Sequence, residues 1–454
     1  MKNVILGGFL LFFSFIAKAQ APSIDTLSKD GSKEEALLDA VTTRHNKDIA
    51  SLSGTNKKYI AEIYKERYES IKEKFTENEI ISDTKASGYL AKLTDEILKA
   101  NPSINSPDLH IVFSKAWWPN ASSMGEGTIL FNIGLFSRLK TESQAVFVLC
   151  HELSHYYLNH SNNTIQRYVN TVYSEDFQKQ LKSIKKSEYR QNQQVEALAK
   201  GITFKHRRHS REFEQAADSM AIEMMKNTAY DLTDALTCLA LLDSVDKDKY
   251  NNPLQLTKRF DFASYHFKKS WLQSDALMFG VAKDEKTKAE DDSLKTHPDC
   301  NTRIQKLSGA VNKYNKNGNK KFIVSEEQFK QLKLQFDFEI LAFCFESNNI
   351  SKCLYYSLQM IDAFPDNAYL HTMIGKCLNA LYSYQKKHEL GKIIDLPGAH
   401  HPEEYNNLLQ LIQNLRLSEI ASLSYYYLRQ FQESYMSHPL YQSVLRISTQ
   451  NFSN

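Results

Sequence analysis

The sequence predicts a mainly α-helical protein of the α+β class with one small β-sheet. Glycine and proline are scarce, at 15 and 10 residues in a chain of 454, and long stretches are rich in Leu, Lys, Glu, Gln and Tyr. Such a composition is typical of helical proteins. Apolar residues follow helical spacing through most of the chain, whereas β-branched, strand-like segments are found near residues 109–113 and 128–131.

The composition excludes some classes of function. A formal net charge of +3 is too small to indicate nucleic-acid binding. Beyond the N-terminus no segment approaches the roughly 18 consecutive apolar residues of a membrane span, so we expect the mature protein to be soluble or peripheral. The six cysteines show no C-x-x-C spacing. Cys344, Cys353 and Cys377 lie on predicted neighbouring helices, and the sequence leaves open whether they pair.

Residues 1–19 have the features of a signal peptide. Lys2 supplies a positive charge, residues 4–16 are predominantly apolar, and Ala17-Lys18-Ala19 fits a small-x-small cleavage site. An uncleaved anchor helix is the alternative, disfavoured because the apolar run is short for a membrane span. The sequence therefore predicts export, to the periplasm or to the periphery of the outer membrane.

A helical region and a small sheet come next. Residues 20–104 begin with a polar stretch and then carry helical periodicity with many charges, ending near Pro102 and Pro107. The two predicted strands that follow form a small sheet. An exposed edge of such a sheet can bind an extended peptide as an additional strand.

The central motif is His151-Glu152-Leu153-Ser154-His155, which fits the pattern H-E-x-x-H. Residues 141–144 form a predicted capping box and six apolar residues follow, so the motif is predicted to lie on a buried helix. Histidines four residues apart share one helix face and can bind one metal ion, for which Zn2+ is the expected species. Glu152 can hold the attacking water. A surface helix with two solvated histidines is the alternative, which the apolar lead-in disfavours.

A third metal ligand is expected on another element, because catalytic zinc usually takes three protein ligands and leaves a position for water. The best candidate is Glu214, which lies one helical turn before Asp218 in a segment from Ser210 onwards. Asp218 is suited to accept a hydrogen bond from a ligand histidine and fix its tautomer. Two acids at this spacing are weak evidence alone, since most such pairs are solvated.

Together these motifs resemble the gluzincin metallopeptidases of the type I CAAX prenyl protease and HtpX-type families, over roughly residues 105–307. Further matching residues are Asn120-Ala121, Gly127, Gly134-Leu135, His160, Thr296-His297-Pro298 and Arg303-Ile304. The resemblance implies a zincin metallopeptidase domain at residues 105–310 with one Zn2+ per chain. His151, His155 and Glu214 are then the zinc ligands, and Glu152 is the catalytic residue.

The resemblance also implies roles outside the central motif. Asn120 and Ala121 correspond to the sheet edge that binds substrate, although residues 121–126 lack the usual apolar side chains, which puts the unprimed subsite in question. His297 is implied as a fourth or regulatory zinc ligand that holds the enzyme latent, and a plain loop residue beside Pro298 is the alternative. Asp218 is a candidate for supporting a ligand histidine, and Arg303 is a candidate for supporting the ligands or, like His297, for stabilising the oxyanion.

Residues 179–211 are strongly basic. The favoured interpretation is a solvated helix face or a mobile lid. The alternative is peripheral contact with anionic lipid headgroups or with an acidic substrate. His206 and His209 within this stretch are interpreted as solvated rather than metal-bound.

The C-terminal part of the chain is a predicted helical domain. Residues 311–324, rich in Asn, Lys and Gly, form a predicted linker, and residues 325–454 are almost wholly helical in pattern. The join at residues 363–370, followed by Gly375 and an apolar run, resembles that of a tetratricopeptide repeat. Only one join is clear, so an ordinary helical bundle is the alternative.

The leading hypothesis is an exported zinc endopeptidase that cleaves unfolded or misassembled cell-envelope proteins presented as extended polypeptides at the sheet edge. The exported branch of the resembled family, which carries tetratricopeptide tails and acts in envelope quality control, implies this role. The alternative is an assembly chaperone or scaffold that binds envelope-protein complexes through its C-terminal helices while the protease is mostly silent. Nucleic acid is not an expected partner.

Overall fold

The structure is a computed structural model that describes residues 27–104, 106, 108–186, 210–244, 249–250, 252–273, 300–314, 316–398 and 401–453. It confirms the predicted fold class, because the protein is mainly helical, at 69% helix, with a small four-stranded sheet. The predicted signal peptide, His297 and residues 187–209 of the basic segment lie outside the described residues. No helix in the described ranges combines the length and apolarity needed to cross a membrane.

The helices fall into two groups along the chain. The first group is α1 (Gly31–Ser51), α2 (Lys57–Thr76), α3 (Thr84–Ala100), α4 (Ile133–Phe136), α5 (Glu142–Tyr157), α6 (His160–Val172), α7 (Glu175–Lys186), α8 (residues 210–225), α9 (Thr233–Leu242), α10 (Leu256–Arg259) and α11 (Cys300–Tyr314). The second group, the C-terminal helices, is α12 (Glu326–Glu346), α13 (Ile350–Met360), α14 (Ala368–Lys386), α15 (Glu403–Asn414), α16 (Leu417–Arg429), α17 (Gln432–Tyr435) and α18 (Pro439–Ser453).

The sheet precedes the motif helix α5 in the chain. Its strands are β1 (Ile80–Ile81), β2 (His110–Ser114), β3 (Ala121–Ser123) and β4 (Thr128–Asn132), in the spatial order β1-β2-β4-β3. The two central strands run parallel, and each outer strand is antiparallel to its neighbour. This order places β3 at one edge of the sheet. The sequence predicted the two central strands, whereas outer strands of two or three residues are too short to give a periodic signal.

Helices cover both faces of the sheet. On one face, Val41 of α1 and Ile71 of α2 pack with Leu130. On the other face, Phe113 lies against Phe336 of the C-terminal helix α12, with ring centroids 4.9 Å apart, in the same core as the apolar residues of α3 and α5. The sheet is thus a middle layer between the N-terminal helices and the helix that carries the motif.

The N-terminus of α5 is tied to the segment that leads into the C-terminal helices. Glu142, in the first turn of α5, is fully buried and accepts hydrogen bonds from the hydroxyls of Tyr89 at 2.6 Å and Tyr230 at 3.3 Å. It also accepts the backbone N–H groups of residues 323, 324 and 325 at 2.6–2.9 Å. Because a carboxylate near a helix N-terminus is favourable, one side chain stabilises α5 and anchors the C-terminal helices.

The C-terminal helices pack closely on one another. Gly375 of α14 faces Leu428 of α16, where a Cβ on the glycine would clash with the leucine side chain. Asn367 caps α14 by accepting the backbone N–H of Leu370. Cys344, Cys353 and Cys377 are buried free thiols within this packing. The tetratricopeptide assignment of this region stays a prediction.

His371 gives this helical region a pH-dependent stability. Its Nε2–H donates to the Pro365 carbonyl, and its Nδ1 accepts from the Tyr427 hydroxyl, both at 2.8 Å. Burial lowers the pKa of His371 to about 4, against about 6.5 for an unfolded chain. Between these values only the unfolded chain binds the proton, so stability falls as the pH drops below 6.5.

When the pH is lowered from 7 to 4.5, we predict that the unfolding free energy of His371→Gln decreases by about 2 kcal/mol less than that of the wild type. Urea unfolding followed by circular dichroism at each pH measures this difference. The control is His438→Gln, because His438 is exposed and should leave the pH dependence as in the wild type. Parallel pH profiles for His371→Gln and the wild type would contradict the assignment.

Candidate metal centre

Two separate helices bring three ligand-type side chains together. His151 and His155 of α5 meet Glu214 of α8 as a group able to hold a metal ion. The two Nε2 atoms are 3.1 Å apart, and the Glu214 carboxylate oxygens lie 3.5 Å from His151 Nε2 and 3.4 Å from His155 Nε2. A tetrahedral zinc ion with bonds of about 2.0–2.1 Å separates its ligand atoms by about 3.3 Å. The donor set therefore fits zinc in both chemistry and spacing.

The local sequence explains why the histidines are held so firmly. Thr141 caps α5 by accepting a hydrogen bond from the backbone N–H of Gln144, which is one half of the predicted capping box. The other half is absent, because the Gln144 side chain accepts from the N–H of Lys140 instead of that of Thr141. From residue 142 to 154 every side chain of α5 is buried, so the helix has no freedom to rotate. His151 and His155 then share one face by their spacing of four residues.

Asp218 and Arg303 form a second layer behind the ligands. His151 Nδ1 lies 2.9 Å from an oxygen of Asp218, which leaves Nε2 of the ring for the metal. Arg303 of α11 donates two hydrogen bonds to Asp218, at 2.7 and 2.8 Å, and its guanidinium also lies 3.5 Å from Glu214. This engagement favours a role in holding the carboxylates over the alternative role in stabilising an oxyanion.

His160 supports the second histidine in the same way. Its Nδ1 lies 3.0 Å from Nδ1 of His155, and its ring stacks on Phe213 with centroids 4.1 Å apart. The resemblance pointed to a histidine at this position, but no role was predicted for it from the sequence. The spacing H-E-x-x-H-x-x-x-x-H is the signal, because the turn after α5 brings a residue at this distance back against the last helical turn.

Three carboxylates are buried at the centre. Glu152, Glu214 and Asp218 are 3%, 6% and 2% exposed, and the Arg303 guanidinium lies against Glu214 and Asp218. Burial alone would lower the pKa of His151, but hydrogen bonds to Asp218 and Glu214, together with their negative charge, raise the pKa to about 10. A divalent cation bound by the same side chains would be favourable here, since buried carboxylates are costly unless paired or metal-bound.

The edge strand β3 packs on α5, and only alternate residues of β3 form hydrogen bonds with β4. The N–H of Asn132 donates to the Asn120 carbonyl at 3.0 Å, and the N–H of Met124 donates to the Thr128 carbonyl at 2.9 Å. Because alternate residues of an antiparallel strand bond to the same neighbour, Ala121 and Ser123 turn their main-chain groups away from β4, and Ala121 is 4% exposed. Within the described ranges no strand pairs with this edge.

The structure brings some of the predicted site residues together in one cluster and places others outside it. His151, His155, Glu214, Asp218 and Arg303 form one contiguous cluster, with Glu152 buried on the same helix. Of the predicted substrate-edge residues, Ala121 turns its main-chain groups away from β4, whereas the carbonyl of Asn120 bonds to β4. His297 lies outside the described residues, and its role stays a prediction.

We predict that Asp218→Asn weakens zinc binding by about 10- to 100-fold, because an amide holds the His151 ring less firmly than a carboxylate does. Competition with a chromogenic chelator measures the affinity, with circular dichroism to verify folding. Asp243→Asn, which changes the exposed C-cap residue of α9, is the matched control. An unchanged affinity in folded Asp218→Asn protein would remove Asp218 from the centre.

Comparison with known proteins agrees with this geometry. No curated protein matches the chain. A model of peptidase family M48 matches residues 87–311, a range that includes the sheet edge, α5, α8 and Arg303. The match confirms the coarse prediction of a metallopeptidase, whereas the subfamily stays a prediction. Residues 87–311 are therefore similar to peptidase family M48, a family of zinc metallopeptidases, and this similarity supports a metallopeptidase domain in that part of the chain.

Proposed function

We propose that the protein is an exported zinc metalloendopeptidase that hydrolyses peptide bonds of unfolded or misassembled cell-envelope proteins. The observation that carries the proposal is the setting of Glu152, a buried carboxylate on the same helix turn as two imidazoles that meet Glu214. A glutamate next to a donor set of this kind is the arrangement by which zinc peptidases activate water.

The side chains divide the chemistry among them. His151, His155 and Glu214 would hold the zinc ion, which lowers the pKa of a water molecule and polarises the scissile carbonyl. Glu152 takes the proton of the attacking water and passes it to the leaving amine. Asp218 and His160 each contact a ligand imidazole at Nδ1, so that both Nε2 atoms keep their orientation through the cycle.

The open edge of β3 supports an extended polypeptide as the substrate. Main-chain groups at Ala121 and Ser123 can pair with any peptide backbone, because this kind of recognition is independent of side chains. A folded protein offers few unpaired extended segments, whereas an unfolded or misassembled one offers many. The site therefore suits substrates that have lost, or have not yet reached, their native structure.

The proposals that the protein is exported and that its activity is latent are based on the sequence. The charged, apolar and small-x-small pattern of residues 1–19 supports export, and an exported peptidase of this kind would act on cell-envelope proteins. His297 lies six positions before Arg303, whose guanidinium contacts Asp218 and Glu214. That proximity in sequence supports His297 as a group that restrains the enzyme until a substrate or partner displaces it.

A second candidate function, an assembly scaffold, is favoured by the C-terminal helices. The side chains of Met436, Leu440 and Ile447 are each at least 40% exposed on or beside the last helix. Exposed apolar side chains of this kind can contact a partner protein. In this alternative the C-terminal helices bind envelope proteins and proteolysis contributes little.

We predict that Glu152→Gln keeps its zinc and loses peptidase activity by a factor of about 100 to 10,000, because the amide cannot accept the proton of the water. Casein cleavage and elemental analysis of the mature protein measure both properties. The control is Glu175→Gln, since Glu175 is exposed at the start of α7. Retained cleavage in metal-loaded Glu152→Gln would contradict the mechanism, and an inactive wild type would favour the scaffold.

We predict that His297→Ala cleaves casein several-fold faster than the wild type at unchanged zinc content, because it removes the proposed restraint on the centre. The same cleavage assay and elemental analysis apply. Activity equal to or below that of the wild type would argue against latency through His297.

A further inference from the structure

Trp118 is an exposed aromatic side chain beside the open strand edge. It lies in the connection between β2 and β3, three residues before Ala121, and is 42% exposed. A single exposed apolar residue is ordinary on a protein surface. What distinguishes Trp118 is the framework that holds it.

The backbone around Trp118 is fixed from two directions. The side-chain amide of Asn132 donates to the Trp118 carbonyl at 3.1 Å, and the N–H of Gly134 donates to the Ala116 carbonyl at 3.1 Å. A Cβ at Gly134 would clash with the carbonyl of Trp117, so this approach requires glycine. The loop is therefore rigid although its largest side chain is exposed.

Trp117 links this loop to the C-terminal helices. The two indoles meet edge to face at 5.9 Å, and the Trp117 ring lies 6.4 Å from the ring of Tyr356 and 4.8 Å from the Lys352 ammonium group, both on α13. Trp117 is thus a packed residue that supports its neighbour. Trp118 forms an aromatic platform where the catalytic domain meets α13.

The platform lies within reach of a peptide bound at the edge of β3. A strand advances about 3.3 Å per residue, so Trp118 is at most about 10 Å along the chain from Ala121. An added strand that pairs with Ala121 and Ser123 would pass the indole about three residues from the position opposite Ala121. The side chains of β3 itself, Ala121, Ser122 and Ser123, are small. A bulky side chain of the peptide must therefore be recognised by residues beside the strand.

We propose that Trp118 forms an apolar subsite that selects extended polypeptides with a bulky aromatic or aliphatic side chain at one position. This inference rests on the proposed peptidase function and specifies its substrate class. Tryptophan is enriched among residues that dominate binding energy, because it offers a large, rigid surface. Bulky apolar side chains are mostly buried in native proteins. The subsite therefore selects for unfolded polypeptides, in addition to the selection for extended segments by backbone pairing with β3.

The experiment measures peptide binding apart from cleavage. Fluorescein-labelled decapeptides of Ala, Ser and Lys, each with one Phe placed at successive positions, are titrated into zinc-loaded Glu152→Gln protein and followed by anisotropy. We expect Phe at one position to bind roughly tenfold more tightly than Ala. Adding Trp118→Ala should abolish this preference and Trp118→Phe should keep most of it. Tyr168→Ala, which removes an equally exposed aromatic from α6, should have no effect.

The same peptides are then given to the protein with Glu152 intact, with and without Trp118→Ala, and kcat and KM are determined. A Phe preference that survives Trp118→Ala, or none at any position, overturns the subsite even if the wild type cleaves the peptides. A Trp118-dependent preference in binding without cleavage supports the subsite and overturns the peptidase proposal. Neither binding nor cleavage by any protein overturns both.

Discussion

The structure depends on a cluster of buried carboxylates, imidazoles and one guanidinium at the contact between α5 and α8. Glu152, Glu214 and Asp218 are buried together with one guanidinium, that of Arg303. Buried carboxylates are costly unless they are paired or bind a metal, and here the imidazoles and the guanidinium lie against Glu214 and Asp218. A divalent cation between His151, His155 and Glu214 would add positive charge beside these carboxylates, and the ligand atoms are spaced as zinc requires. The metal is thus expected to stabilise the fold as well as serve catalysis.

Side chains from several different helices form and support the metal centre. α5 gives the two imidazoles, α8 gives Glu214 and Asp218, α11 gives Arg303, and the start of α6 gives His160. Because each imidazole is held at Nδ1 by a neighbour, its Nε2 has one orientation. A centre assembled this way loses geometry when any one helix shifts, which couples the chemistry to the packing of the whole domain.

The opposite end of α5 couples that domain to the C-terminal helices. Glu142 binds three backbone N–H groups at residues 323–325 and two tyrosine hydroxyls, and Phe336 of α12 packs on the sheet. A second contact, Trp117 with Tyr356, lies beside the open edge of β3. The C-terminal helices therefore touch both the helix that bears the ligands and the strand proposed to bind substrate, so what these helices bind can influence how a substrate is presented.

By itself the sequence determined the helical class, the central strands, the motif on α5 and the candidacy of Glu214, because these depend on residue spacing within a few turns of one element. The tertiary structure decided the rest. It brought Glu214 to two histidines some sixty residues away, paired Arg303 with Asp218, placed His160 behind His155, and left β3 as an open edge. These contacts join residues far apart in the chain, and only the packing of α5, α6, α8 and α11 around one core determines their distances.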